Sequence, residues 1–187
     1  MSAFDPLTFL TDSHTNSQNK CDYFGFKFES EFDPDVWPKL CDNFFFSSLR
    51  KVQRTIGSSN VITVGVFGEA NRSNSFVLTD CNTIHIMCAT CFKVDIVPGT
   101  LLLINCPEIV QTPSFCMKLK SPKQIVKIGF VNSFGLCDRH GSHLACTKFI
   151  DRSKDTLCSF HKAYYRLKAA NQLKIQTQVF PRSMPVV

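Results

Sequence analysis

The chain has 187 residues, of which 44% are hydrophobic, so it can form one ordinary core and a satellite element. Its formal net charge is +6. No apolar run reaches the roughly 18 residues that a membrane span needs, and no basic segment followed by an apolar one opens the sequence, so we expect neither a membrane helix nor a secretory signal. Several of the ten cysteines lie inside apolar runs, namely Cys81, Cys88, Cys91, Cys106 and Cys116. We expect these to be free, buried thiols in a reducing compartment.

The first sixty residues divide into two segments. Residues 1–20 are polar and predict a disordered tail. Residues 21–60 are broken by acidic residues and prolines, but they contain an apolar cluster of Phe44, Phe45, Phe46 and Leu49. Such a cluster is too apolar to remain in water, so we expect residues 21–60 to be an arm that packs on the main domain.

A β pattern begins at Val61 and continues to Val131. Runs rich in β-branched residues are separated by turn residues, and a glycine inside the first run is typical of a bend or bulge. The predicted strands are residues 61–67, 75–80, 83–88, 100–105, 115–120 and 124–131. Five or more short strands predict a mainly β fold with a small Greek-key barrel over residues 61–131, for which the oligonucleotide-binding (OB) fold is the commonest architecture.

A cluster of metal-ligand residues follows the barrel. Zinc prefers four thiolate or imidazole donors at tetrahedral corners, and a Cys-x-x-His pair can chelate it at the start of a helix. The favoured ligands are Cys137, Cys146, Cys158 and His161. We therefore expect one structural zinc ion, held by a Cys-Cys-Cys-His zinc finger with a short helix over residues 132–172.

A rival ligand set remains open in the same stretch. Cys137-x-x-His140 mirrors Cys158-x-x-His161, so His140 or His143 could replace Cys146. We favour the set with three cysteines because three thiolates neutralise the ion better.

The segment after His161 has the spacing of a helix. Phe160, Ala163, Tyr164, Leu167 and Ala170 share one face, and we expect this face to be a core stripe. Residues 173–187, which include two prolines, predict a free tail.

Charge is distributed unevenly. Residues 61–117 have two Lys or Arg against four acids, whereas residues 118–187 have thirteen against three. This excess predicts a polyanionic partner for the C-terminal third. The candidate nucleic-acid contacts are Lys118, Lys120, Lys123, Arg139, Lys148, Arg152, Lys154, Lys162 and Arg166.

Residues 21–170 resemble the minichromosome maintenance protein ten family of eukaryotic replication-initiation factors. The stretches that carry the resemblance are Tyr23-Phe-Gly-Phe-Lys-Phe, Phe45-Phe-Ser-Ser-Leu-Arg-Lys-Val, Val61-Ile-Thr-Val-Gly-Val, Pro98-Gly-Thr-Leu-Leu-Leu-Ile-Asn-Cys-Pro107, Phe134-Gly-Leu-Cys137 and Cys146-Thr-Lys-Phe-Ile-Asp151. The resemblance implies an OB-fold joined to a Cys-Cys-Cys-His zinc finger. It also implies a nuclear, chromatin-associated factor that binds single-stranded and double-stranded DNA at origins and contacts the replicative helicase and DNA polymerase alpha/primase.

Two alternatives remain beside this hypothesis: an RNA-binding barrel, because such folds accept either polymer, and a protein adaptor braced by zinc. We do not expect an enzyme, because the sequence has no Ser/His/Asp set, no paired acids and no phosphate-binding glycine loop. Catalytic zinc also keeps an open position, whereas this site has four good protein ligands.

Overall fold

The computed structural model describes residues 6–11, 13–54, 61–71, 74–111, 115–139 and 146–179. These residues form a mainly β fold with a large mixed sheet and a small separate hairpin. In this part of the chain no helix combines the length and apolar character that a bilayer crossing requires.

The secondary structure consists of three α-helices, twelve strands and two short 3₁₀ turns. In chain order the helices and strands are α1 Pro6–Thr11, β1 His14–Tyr23, β2 Phe26–Phe32, α2 Val36–Asn43, β3 Phe45–Phe46, β4 Val61–Asn71, β5 Ser75–Thr79, β6 His85–Thr90, β7 Thr100–Asn105, β8 Glu108–Val110, β9 Cys116–Leu119, β10 Ile125–Phe130, β11 Phe134–Leu136, β12 Phe149–Asp151 and α3 Ser159–Val179. The 3₁₀ turns are Val52–Arg54 and Pro122–Gln124.

The large sheet curves back on itself. Strands β4, β5 and β6 form an antiparallel meander, and β6 pairs in parallel with β9. On its other side β4 pairs with β7, which pairs with β10. Strand β8 pairs with β9 and follows β7 after only Cys106 and Pro107. The order of paired strands β7-β4-β5-β6-β9-β8 therefore begins and ends with two strands that are consecutive in the chain.

The corner between these strand pairs is braced by Gln124. Its side-chain nitrogen donates to the carbonyls of Asn105 (3.2 Å) and Cys106 (2.7 Å), at the bend between β7 and β8. Its side-chain oxygen accepts from the backbone N–H groups of Lys120 and Ser121, at the bend between β9 and β10. The Gln124 side-chain amide thus forms hydrogen bonds with two backbone carbonyls and two backbone N–H groups at the bends.

Two apolar cores lie on opposite faces of β4 and β7. Leu102 and Ile104 point into an inner core, together with residues of β5, β6 and β9. Leu101 and Leu103 point into an outer core that β2, α1 and α2 cover. Because both faces are buried, β7 is a continuous apolar run instead of an alternating one.

The arm of residues 21–60 contributes much of the outer core. Strand β2 pairs with β10, and α2 buries Trp37 and Leu40. Leu49 enters the inner core, and Phe44 and Phe46 are half-buried against the outer one. Phe45, expected among the packing residues, is instead 60% exposed. Residues 55–60 lie outside the described residues.

The prediction of a disordered tail over residues 1–20 is wrong from Pro6 onward, apart from Asp12, which lies outside the described residues. Helix α1 buries Leu10, and β1 begins at His14 and pairs with β2. Polar side chains stabilise this edge strand directly: the Thr15 hydroxyl donates to the Glu31 carbonyl at 2.8 Å, and the Asn19 amide donates to the Phe32 carbonyl at 3.1 Å. The polar composition that predicted disorder supplies these bonds.

Candidate functional site

The four favoured metal ligands converge between the β11–β12 hairpin and α3. Cys137 follows β11, Cys146 lies three residues before β12, Cys158 directly precedes α3, and His161 lies in the first turn of that helix. Their ligand atoms all lie within 4.8 Å of one another. Residues up to 24 positions apart in sequence therefore form one group that could hold a metal ion.

The geometry of the cluster fits a single small ion. Nδ1 of His161 lies 3.3 Å from Sγ of Cys137 and 3.4 Å from Sγ of Cys158. Tetrahedral zinc with Zn–S of about 2.3 Å and Zn–N of about 2.0 Å separates sulfur and nitrogen ligands by about 3.5 Å. Cys137, Cys158 and His161 are buried, so the ion would be shielded from water on most sides.

The thiols of the cluster differ in acidity. Burial raises the pKa of Cys137, but hydrogen bonds from the backbone N–H of Cys158, from His161 and from the backbone of Arg139 outweigh it and lower that pKa to about 7. The Cys158 N–H lies 3.2 Å from the Cys137 sulfur. The pKa of Cys146 is raised, first by burial and then by the neighbouring sulfurs of Cys137 and Cys158. A cation in the cluster would relieve this crowding of three thiols because it favours the thiolate form of each.

The outer nitrogen of His161 has its own contact. Nε2 lies 2.7 Å from Nη1 of Arg139. A guanidinium can only donate, so this contact requires a histidine whose proton is on Nδ1. A metal on Nδ1 would move the proton to Nε2 and set two donors against each other. A metal bound through Nδ1 would therefore require the Arg139 side chain to move away from Nε2.

The β11–β12 hairpin docks on the large sheet through Phe149. Its ring stacks on Phe134 at a centroid distance of 5.2 Å and lies against the backbone of Gly68 in β4. The β4–β5 register shifts between Phe67 and Ala70, so the bulge spans Gly68 and Glu69. The sequence predicts a bend or bulge at Gly65, but the register does not shift there. The side chains of Leu49 and Leu78 instead approach the Gly65 backbone closely.

Asp151, the last residue of β12, holds together the residues on either side of the hairpin. Its Oδ1 accepts from the hydroxyls of Ser133 (2.5 Å) and Ser153 (2.6 Å), and its Oδ2 lies 3.2 Å from the ammonium of Lys154. That ammonium also donates to the carbonyl of Gly25 in the arm at 2.7 Å. Burial raises the pKa of Asp151, but these hydrogen bonds outweigh it and hold the pKa below its usual value. The sequence alone does not single out Asp151, because one Asp among many belongs to no recognisable pattern.

The nine predicted nucleic-acid contacts lie on two parts of the molecule. Lys118, Lys120 and Lys123 lie on or next to β9, and the remaining six lie on the hairpin, its flanking loops and α3. Four are held in ion pairs within the described residues: Lys120 with Glu108, Arg152 with Asp138, Lys154 with Asp151 and Lys162 with Asp155. Lys123, Lys148 and Arg166 are exposed and form no ion pair with a described acid.

The predicted core stripe of α3 is wrong. Phe160 is 61% exposed and Leu167 is 67% exposed, and every residue from Ala163 to Leu173 is exposed. Helix α3 is anchored at its start by Cys158, which directly precedes it, and by His161 in its first turn, whereas its later turns are exposed. It also continues to Val179, beyond the predicted boundary at residue 172.

The other sequence expectations have mixed outcomes. All ten cysteines are free, and Cys81 and Cys88 are buried, but Cys106 and Cys116 are only half-buried and Cys91 is exposed. The rival ligands His140 and His143 lie outside the described residues, as does Arg72.

Comparisons with known proteins found no relative of this chain. No protein-family model matches the chain, and no curated protein sequence matches it.

Proposed function

We propose that this protein is a zinc-containing, non-enzymatic DNA-binding factor of replication initiation. In this proposal an OB-fold barrel and a zinc finger form one continuous surface for single-stranded and double-stranded DNA. The observation that carries the proposal is the four-ligand cluster on a hairpin docked against a small barrel. This combination of site and scaffold is what the resemblance to the minichromosome maintenance protein ten family implies.

The strand pairing supports the OB-fold assignment. With β7–β8 and β9–β10 each taken as one bent strand, the first strand, β4, pairs with the second and the fourth. The third, β6, runs parallel to the fifth. This is the five-stranded Greek-key order of the fold. The loops that flank its usual ligand face follow β4 and β8.

The donor set supports zinc as the metal. Three thiols and an imidazole are the ligands of structural zinc sites, whereas carboxylate and carbonyl oxygens would favour magnesium or calcium. With four protein ligands no coordination position remains open, so the ion would cross-link the hairpin to α3 without taking part in a reaction.

The distribution of charge supports a polyanionic ligand. Lys148 and Arg166 project from the zinc-finger region without a described acidic partner, and Lys123 projects from the bend between β9 and β10. Phosphate contacts need such cations, and each phosphate neutralised steepens the salt dependence of affinity by about 0.7 log units per log unit of salt for a single strand.

The proposal is tested by fluorescence anisotropy with single-stranded DNA, duplex DNA and RNA of equal length across a salt series. We expect tight binding to DNA with a steep salt dependence. A preference for RNA would favour the RNA-binding alternative, and the absence of salt-dependent binding to every oligomer would favour the adaptor. The nuclear location and the contacts with the replicative helicase and DNA polymerase alpha/primase rest on the resemblance alone.

A further inference from the structure

Helix α3 presents two exposed aromatic rings on one face. Phe160 and Tyr164 are four residues apart and are 61% and 44% exposed. Residues at this spacing lie one above the other on a helix. The ring of Phe160 meets its neighbour His161 only edge-on, at a centroid distance of 5.3 Å. Rings of this size on a surface mark an interaction site more often than a single exposed aliphatic residue does.

The same helix is uniformly basic. Its 21 residues include Lys162, Arg166, Lys168 and Lys174 and no acid. The guanidinium of Arg139 lies over the Tyr164 ring, 5.2 Å from its centroid. Arginine on an aromatic ring supplies both a flat surface and a charge. The partner of this face must therefore tolerate or require positive charge, which excludes a second copy of the same helix.

We propose that Phe160 and Tyr164 are a stacking platform for successive bases of a single-stranded nucleic acid, an inference that rests on the proposed function. Flat rings combined with cations are the usual source of single-strand affinity. The two Cα atoms are about 6 Å apart along the axis at 1.5 Å per residue. That spacing is nearly twice the roughly 3.4 Å between neighbouring bases in duplex DNA. Bases that meet both rings must therefore be separated from each other, as only a single strand allows.

A metal ion in the cluster would hold this platform in place. Phe160 lies between the ligands Cys158 and His161, so the first turn of α3 is fixed by the same residues that could hold the ion. Tyr164 follows one turn later. The platform is thus tied to the barrel through the hairpin instead of moving with a loose helix.

The test compares the full-length protein with a Phe160→Leu/Tyr164→Leu variant, which keeps apolar side chains and helix propensity but removes both flat faces. Binding to a twelve-nucleotide oligothymidylate and to a twelve-base-pair duplex is measured by anisotropy across a salt series. We expect single-strand affinity to fall at least tenfold, with an unchanged salt slope because no charge is removed. Duplex affinity should change less than twofold. Zinc content and circular dichroism verify that the variant is folded.

Leu167→Ala is the matched control, because Leu167 is 67% exposed on the same face and has no ring. We expect it to bind both oligomers like the unmodified protein. An equal loss with Leu167→Ala would mean that the face binds by apolar burial, as an acidic protein segment would bind it, and would overturn the stacking assignment. Full single-strand affinity in the double variant, or an equal loss for the duplex, would also overturn it. If the unmodified protein binds no oligomer, the proposed function itself fails, which is a different result.

Discussion

The ring of Phe149 in the β11–β12 hairpin lies directly on the backbone of Gly68 in β4 of the large sheet: a Cβ built on this glycine would be 2.6 Å from the nearest ring carbon. No rigid aromatic ring tolerates that distance. This contact, at the bulge of β4, joins the two parts of the molecule that the proposed function requires to act together.

Gly68→Ala should therefore destabilise the joint. We expect a loss of about 1–3 kcal/mol in the free energy of unfolding, because the ring must shift and cannot shrink. Chemical denaturation measures it. The Gly68→Ala/Phe149→Leu double variant should be more stable than the sum of the two single changes predicts, since leucine frees space for the new methyl group. Simple additivity would contradict a direct contact.

Metal content should follow the four ligands. Elemental analysis of the purified protein should give about one zinc per chain. Cys146→Ser should lose the metal and loosen residues 132–170 while the barrel stays folded, because metal-binding free energy is local folding free energy. His140→Ala is the control. Retention of zinc in Cys146→Ser together with its loss in His140→Ala would assign the site to the rival ligand set.

Arg139 should oppose zinc binding through its contact with His161. When the ion occupies Nδ1, Nε2 carries a proton and needs an acceptor, which a guanidinium cannot provide. Arg139→Gln supplies a carbonyl oxygen, so we expect it to tighten zinc binding by up to about tenfold, within the range known for outer partners of ligand histidines. Competition with a chelator measures the affinity, and Arg152→Gln is the control. A weaker affinity in Arg139→Gln would refute this donor conflict.

The buried carboxylate of Asp151 should make stability depend on acid pH. Its pKa is lower in the folded protein than its ordinary value of 3.8, so its stabilising contribution is complete above that value and is lost as the pH falls through the lower, folded value. Asp151→Asn should cost about 1–3 kcal/mol at pH 7, because it weakens bonds to Ser133, Ser153 and Lys154. Denaturation at several pH values measures the difference from the unmodified protein. The cost should be constant above about pH 5 and shrink below about pH 4; a cost that stays constant throughout would contradict an ionised Asp151.

The parts of this structure with a strong local signal were predictable. Strands β4 to β7 could be predicted from their apolar and β-branched runs, which depend only on local sequence. The metal-ligand group could be predicted from residue type and spacing alone; it consists of Cys137, Cys146, Cys158 and His161. Three cysteines and a histidine at such spacing are typical of metal ligands, which is why a single sequence was enough to select the four residues that the structure brings together.

Two of the wrong predictions, a core stripe on α3 and a disordered tail over residues 1–20, share one cause: local sequence does not reveal which other segments pack on an element. The helical spacing of Phe160 and Leu167 correctly places both on one face, but only the tertiary structure determines that this face is exposed. The polar residues of β1 were predicted to be disordered but form a strand. Thr15 and Asn19 donate hydrogen bonds to backbone carbonyls of β2, and composition cannot identify such a partner.

The central claim, a nucleic-acid surface on the zinc finger, is tested most directly by the salt dependence of single-strand DNA binding in a Lys162→Glu/Arg166→Glu variant. Lys39→Glu, an exposed charge reversal on α2, is the control. If α3 contacts phosphates, the double variant should bind at least tenfold more weakly, and its slope of log affinity against log salt should flatten by about 0.7 per lost phosphate contact. The control should keep the original slope. An unchanged affinity and slope in the double variant would contradict the account.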